Sequence, residues 1–148
     1  MSRASIADRI AEECLMSGWR MTNRLLAGIY DAELRPFGLK STQLSLLVAV
    51  AKAGPVRRMA LGEFLVLDPS TLTRNLQVML RQGWIAEAPD DVDQRGAPLK
   101  ITAKGARLLE SIGPAWQRAQ ARAKRLLGAD GVDLLFAVRG RARANPAG

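Results

Sequence analysis

The apolar positions of this chain recur at helical period over most of its length, broken in the middle by two short runs that do not fit that period. Ile6, Ile10, Cys14, Met21, Leu25 and Ile29 keep roughly helical spacing, which predicts one long helix from Ser5 to about Leu34 with Ser5 as its cap. Arg35-Pro36-Phe37-Gly38-Leu39 reads as a turn, with Pro36 and Gly38 as the breakers. Ser41 is then expected to cap a helix running to about Ala53, with Leu44, Leu47, Val48 and Val50 facing the core and Gly54-Pro55 as its stop. Val56-Arg57-Arg58 suits a small third strand. A short helix is expected from about Met59 to Leu65, then a turn at Val66-Leu67.

The next helix has the clearest signature. Asp68-Pro69-Ser70-Thr71 is a start signal: Asp68 accepts from free backbone N–H groups, and Pro69 falls at the first helical position, where a missing N–H costs nothing. Leu72, Leu76, Met79 and Leu80 form one apolar stripe, so a helix is predicted from Pro69 to Gln82. Its remaining faces carry Ser70, Thr71, Thr73, Arg74, Asn75, Gln77 and Arg81, with no acid after Asp68. A solvated helix normally mixes both signs of charge. Here the polar groups are short hydroxyls, amides and guanidiniums, which suit an anion with readable hydrogen-bonding edges. Two short strands are expected at Trp84–Ala88 and Leu99–Thr102, around a polar loop containing Gly96. Helix-turn-helix followed by a two-stranded wing is the winged-helix pattern.

Thr102 is a candidate cap for another long helix carrying Leu108, Leu109, Ile112, Trp116 and Ala119. Gly113-Pro114 inside it predicts a kink rather than a stop, because the apolar pattern resumes. Gly128 to Gly131 is expected to end it, Val132, Leu134, Leu135, Phe136 and Val138 to form a last helix, and residues 139–148 to fray as a basic tail. The expected fold is therefore mainly α with a small β wing, in a single domain. Residues 41–102 form a winged helix-turn-helix DNA-binding lobe, and residues 1–35 and 103–148 form long flanking helices. The flanking helices have too little partner surface within one chain, and a homodimer interface is their most economical use.

Composition sharpens this picture. Twenty-two Lys and Arg against 14 Asp and Glu give a net charge of +8, which suits a polyanionic partner, either nucleic acid such as double-stranded DNA or an acidic membrane surface. A single cysteine and no histidine exclude an intrachain disulfide, the usual zinc clusters and a histidine-dependent triad. No carboxylate pair or phosphate-binding loop points to an enzyme, and neither a cofactor nor a metal is expected. No apolar run reaches membrane-spanning length and residues 1–11 lack a signal-peptide core, so a cytoplasmic protein without a membrane partner is expected.

Ser70-Thr-Leu-Thr-Arg74, Leu80-x-x-Gly83-x-Ile85, Asp93-x-Arg95 and Leu99-x-x-Thr102-x-x-Gly105 together resemble the MarR family of bacterial transcription regulators. Tyr30, Leu34, Gly38-Leu39 and Gln43 match that family's first two helices, so the resemblance covers nearly the whole chain. It implies a symmetric homodimer built from the terminal helices, a palindromic operator, repression, and control by a small aromatic effector or, in one branch, by cysteine oxidation. It also implies that Ser70, Thr71 and Arg74 approach bases and phosphates, that Arg95 enters the minor groove and that Asp93 braces it. Two departures stand out. Where the family often has glycine in the turn, this chain has Val66, and a β-branched residue is disfavoured at positive φ, which puts the turn geometry in question. In the peroxide-sensing branch, the reactive-cysteine column falls on Met16 rather than Cys14, which speaks against peroxide sensing.

Arg74 is the candidate for a guanine edge and Asn75 or Gln77 for adenine. The competing reading of these residues is a solvated face, and the wing favours DNA. Trp19, Arg20 and Tyr30 are candidates to line an effector cavity between the long first helix and the reading head, against ordinary core packing. Cys14 reads first as a small buried apolar residue. Its alternative is a redox switch, for which a thiolate needs a cationic neighbour, and neither Arg9 nor Arg20 lies at i±3 or i±4. The other rival is a winged helix used for protein–protein contact, against which the basic recognition face argues.

Overall fold

A computed structural model of the chain describes residues 5–89 and 96–144. It is mainly helical, with seven α-helices and one two-stranded antiparallel sheet among the described residues. Ser5 caps α1 (Ile6–Glu13) in a reciprocal box: its hydroxyl accepts from the Asp8 N–H at 3.1 Å while the Asp8 carboxylate accepts from the Ser5 N–H at 2.8 Å. The expected single N-terminal helix is in fact two. Cys14, at φ −71 and ψ 106, is extended and separates α1 from α2 (Leu15–Leu34). Apolar periodicity continues across the break, because one changed ψ shifts direction without disturbing the spacing of apolar residues.

A 3-10 turn at Arg35–Phe37 ends on Gly38, at φ 66, and leads to α3 (Ser41–Ala53). Ser41 is not the cap but the first helical residue. Its N–H donates to Asp31 Oδ1 at 2.7 Å, and Gln43 Oε1 accepts from the Lys40 N–H at 3.0 Å. The buried face also differs from the expected one: Gln43, Leu46, Leu47, Ala49 and Val50 are buried, whereas Leu44 is half-buried and Val48 is 42% exposed. This helix lies at the centre of the fold, against α2, α4, α5, α6 and the sheet. It buries a face wider than a single stripe.

The core gathers Leu34, Leu39, Leu46, Leu47 and Val50 with Leu61, Leu76, Met79, Ile85 and Leu99 around that central helix. α4 (Arg58–Leu65) and α5 (Pro69–Arg81) follow, and then the wing of β1 (Ile85–Glu87) and β2 (Leu99–Ile101), paired Ile85 with Ile101 and Glu87 with Leu99. The expected third strand reduces to a single bridge: Val56 exchanges both backbone hydrogen bonds with Leu99, at 2.9 and 2.8 Å, while Arg58 already begins α4.

Thr102 caps α6 (Ala103–Ser111) as expected, accepting from the Gly105 N–H at 3.0 Å. Its hydroxyl donates to Gly83 O at 2.6 Å, locking the helix to the end of the helix-turn-helix. α7 (Gly113–Ala144) begins directly after Ile112, whose backbone stays right-handed, and the Trp116 N–H still reaches Ile112 O at 2.8 Å. The backbone therefore stays right-handed through Gly113-Pro114 without unravelling. α7 is broken only at Gly128, at φ 68 and ψ 169. Ala129 to Gly131 are already helical, so the break is sharper than the expected four-residue stop. The helix also runs on through residues 139–144, where a frayed tail was expected. Arginines in its last turn favour the helix, because cations complement the C-terminal end of the dipole. α2 and α7 pack together, with the Tyr30 hydroxyl donating to Gln120 and Glu33 accepting from Arg118 at 2.9 Å and Arg122 at 3.3 Å. Arg118, and then Arg122, hold the Glu33 carboxyl below its ordinary range. No helix among the described residues is long and apolar enough to cross a membrane.

Candidate nucleic-acid interface

The reading head is assembled by two helix ends. α4 closes on Val66, which adopts the left-handed conformation at φ 53 and ψ 47. The turn thus keeps the geometry usually given to glycine, with a valine forced into it, and the chain makes its tight return: the Leu67 N–H donates to Gly62 O at 2.9 Å. Gly62 is buried where α4 crosses α5, and a Cβ there would lie 3.1 Å from Leu72 Cδ2.

Asp68 caps α5 as expected. Its Oδ1 accepts from the Thr71 N–H at 2.9 Å and from the Ser70 hydroxyl at 2.6 Å. These bonds, that of Ser70 foremost, hold its carboxyl far below the usual range. Leu72, Leu76 and Met79 face the core, which turns Ser70, Thr73, Arg74 and Gln77 outward as exposed residues. Thr71 and Asn75 are half-buried, and Asn75 Nδ2 donates to Thr71 O at 2.8 Å within the helix. The exposed, acid-free face therefore narrows to Thr73, Arg74, Gln77 and Arg81, with Ser70 at its start. Arg74 makes no ion pair among the described residues. Asp93 and Arg95 lie outside the described residues.

Sequence pattern did not show how the head is tied to its wing. Arg58, opening α4, pairs with Glu87 of β1 at 2.7 Å, and Arg57 Nη1 donates to Gly96 O at 3.2 Å at the base of the wing loop. Residues 29 and 39 positions apart carry no local signal for such contacts. Lys104 of α6 donates to Gln82 O at 2.6 Å, closing the C-terminal end of α5.

The candidate effector residues separate. Tyr30 lines a cavity of about 370 Å³ between α2 and α7, with Trp116, Gln120, Lys124, Phe136 and Arg139, rather than between α2 and the reading head. Burial raises its phenol above the ordinary range. Trp19 and Cys14 line a second cavity of about 600 Å³, with Glu12, Asn23, Leu127 and Leu134, and Arg20 lines neither. Cys14 is half-buried at the α1–α2 break.

These features define a winged helix-turn-helix protein. The MarR family profile matches residues 37–96. The multiple antibiotic resistance protein MarR of Salmonella typhimurium is 32% identical over 90 residues, covering 61% of this chain and 62% of that protein. The HTH-type regulator YwoH of Bacillus subtilis is 28% identical over 89 residues, covering 60% of this chain and 64% of that one. These matched segments span less than two thirds of the relatives' own length. Among solved structures, apo wild-type MarR from E. coli superposes with a TM-score of 0.69 at 25% identity, covering 86% of this chain and 96% of that one. A cysteine-to-serine mutant of E. coli MarR complexed with operator DNA superposes with a TM-score of 0.78 at 23% identity, covering 94% and 99%. The chain is thus similar to MarR family regulators over its helix-turn-helix and into its wing, and it shares the fold of solved MarR structures.

Proposed function

We propose that the protein is a transcription regulator that binds double-stranded DNA as a homodimer through α5 and the wing, and that it acts as an effector-responsive repressor. The observation that carries this reading is the outward face of α5: Thr73, Arg74 and Gln77 exposed, with no acid between Asp68 and Glu87. The major groove admits an α-helix, and guanine O6 and N7 fit a guanidinium fork while an amide suits adenine. Ser70 and Thr71, at the N-terminus of α5, suit a phosphate. Residues 41–102 are the DNA-binding lobe in this reading, and residues 1–35 and 103–148 pair two copies. Half-sites about 34 Å apart would then place two recognition helices in successive major grooves. Arg95 is assigned to the minor groove, where narrowing concentrates negative potential, and Asp93 to bracing it. The likeness to a MarR protein that binds operator DNA supports the same reading.

The test is anisotropy of the DNA upstream of the protein's own gene against an unrelated duplex. Sequence-preferring binding that weakens with salt is expected, and equal affinity for both duplexes would overturn the reading. Arg74→Ala is expected to cost about 1–3 kcal/mol and to relax preference at one base position.

The Tyr30 cavity is the proposed effector site. It is walled by Trp116 and Phe136 and rimmed by the cations Lys124 and Arg139, which suits a small aromatic anion. Cys14, beside the second cavity, supports a further reading as a redox switch. Retention of any oxidant response in Cys14→Ser would eliminate it.

A further inference from the structure

One contact brings the far end of the chain to the reading head. After Gly128 the second half of α7 folds back along the first, with Val132, Leu135 and Phe136 facing the cavity that Trp116 and Gln120 line from the outgoing half. The return carries its last turn to α4, where the Arg143 guanidinium carbon sits 5.0 Å from the centroid of the Phe64 ring. Phe64 is exposed and lies two residues before Val66 and four before the Asp68 cap, so Arg143 is held beside the turn that launches α5.

The segment from Leu134 to Ala144 holds three arginines and no acid. Arg139 is engaged elsewhere, over the Phe136 ring at 5.6 Å and along the cavity. Arg141 and Arg143 form the basic last turn. Their helix dipole alone accounts for cations at this position, but not for a guanidinium placed against the aromatic ring of another helix. A guanidinium over a ring face keeps its in-plane N–H donors available for a phosphate. In a helix-turn-helix docked on a duplex the first helix crosses the sugar-phosphate backbone while the second occupies the groove. Glu63, exposed next to Phe64 on α4, is an acid at that crossing and makes a neighbouring cation the more necessary.

We infer that Arg143 forms a second, sequence-independent DNA contact: a phosphate-binding arginine that the returning half of α7 holds beside α4. This rests on the assignment of α5 as a DNA-reading helix.

The experiment measures affinity for a preferred duplex and an unrelated one over a range of KCl, for the wild type, Arg143→Gln and Arg143→Lys. Removing one phosphate-binding cation lowers the slope of log affinity against log salt by about 0.9, so Arg143→Gln is expected to reduce it by about 1 per protomer. The ratio between the two duplexes should stay as in the wild type, and Arg143→Lys should keep the wild-type slope. A wild-type slope in Arg143→Gln overturns the inference. So does a collapse of the ratio between duplexes, which marks a structural role. Should Arg143→Gln fail to fold, Phe64→Leu decides: it removes the ring that seats Arg143, and it is expected to reduce the slope by about 1 per protomer. An unchanged slope there overturns the inference as well. If the wild type prefers neither duplex, the reading of α5 fails instead.

Discussion

Three residues carry more of the reading head than their size suggests. Val66 stands at φ 53, the only non-glycine residue with positive φ among the described residues, and is 89% exposed. A β-branched side chain gains nothing there to offset the backbone strain. Val66→Gly is expected to stabilise the protein by about 1 kcal/mol, read as a higher urea midpoint at unchanged slope. Destabilisation would show that the side chain packs in some way its exposure hides. Gly105 is the opposite case. A Cβ on it would lie 2.1 Å from Trp84 O, so α6 would have to lift from the wing and pull on the Thr102 lock. Gly105→Ala is expected to cost about 1–3 kcal/mol or more, measured by the same unfolding curves. Asp68 sets a pH dependence. Its folded carboxyl titrates below the ordinary value of 3.8 because Ser70 and Thr71 donate to the ionised form. A depressed carboxylate stabilises the fold fully above its unfolded value and loses that contribution as pH falls through its folded one. Thermal stability should therefore decline below about pH 4 more steeply in the wild type than in Asp68→Asn, whose amide still caps the helix but does not titrate in that range.

Among the elements, those with chemical start and stop signals were legible and those joined by a single torsion were not. Asp68-Pro69 and Thr102 announce α5 and α6, and the structure caps both helices with those residues. The wing strands fall where the apolar runs around Gly96 place them. Cys14 has no breaker chemistry, so the division of α1 from α2 is invisible in a pattern that keeps its period across it. The face of α3 was mistaken because a central helix is covered on several sides, and a single-stripe reading then selects the wrong residues. In the site, the α5 residues were legible as an acid-free face. The engagement of Asn75 with Thr71, and the ties from Arg57 and Arg58 to the wing, depend on the folded geometry rather than on local pattern. Gly128 was legible as a break but not as a conformation. At φ 68 and ψ 169 it occupies a region almost closed to other residues, and a Cβ there would meet nothing within 4 Å. The cost of Gly128→Ala is therefore purely conformational, about 1–3 kcal/mol. It should appear as a lower unfolding midpoint, and a neutral result would mean that the two halves of α7 tolerate a different path.

At the scale of the whole molecule, the apolar surface explains the terminal helices. Ile6, Ile10, Leu15, Met16, Met21 and Leu25 are exposed on α1 and α2, and Leu126, Leu134 and Val138 on α7, with Leu15 at 89%. Isolated exposed apolar residues are ordinary, but a concentration of this size on the helices flanking a compact head is the surface that the proposed pairing would cover. A second copy is the occupant proposed above, and in that proposal pairing would also strengthen DNA binding: once one head has docked, the other acts at a high local concentration, which raises affinity by about 10²–10⁴ without any new contact. Ile10→Glu together with Leu15→Glu places charge where the isolated chain already faces water, so the monomer's own fold should be spared. Light scattering should then report one chain per particle with unchanged helix content. Affinity for a two-half-site duplex should fall toward that for a single half-site, and the salt slope should fall to about half, because one head then neutralises half as many phosphates as two. If the variant still pairs, the interface lies elsewhere. If it separates yet binds the double site as tightly as the wild type, pairing contributes nothing to recognition, and the terminal helices need another explanation.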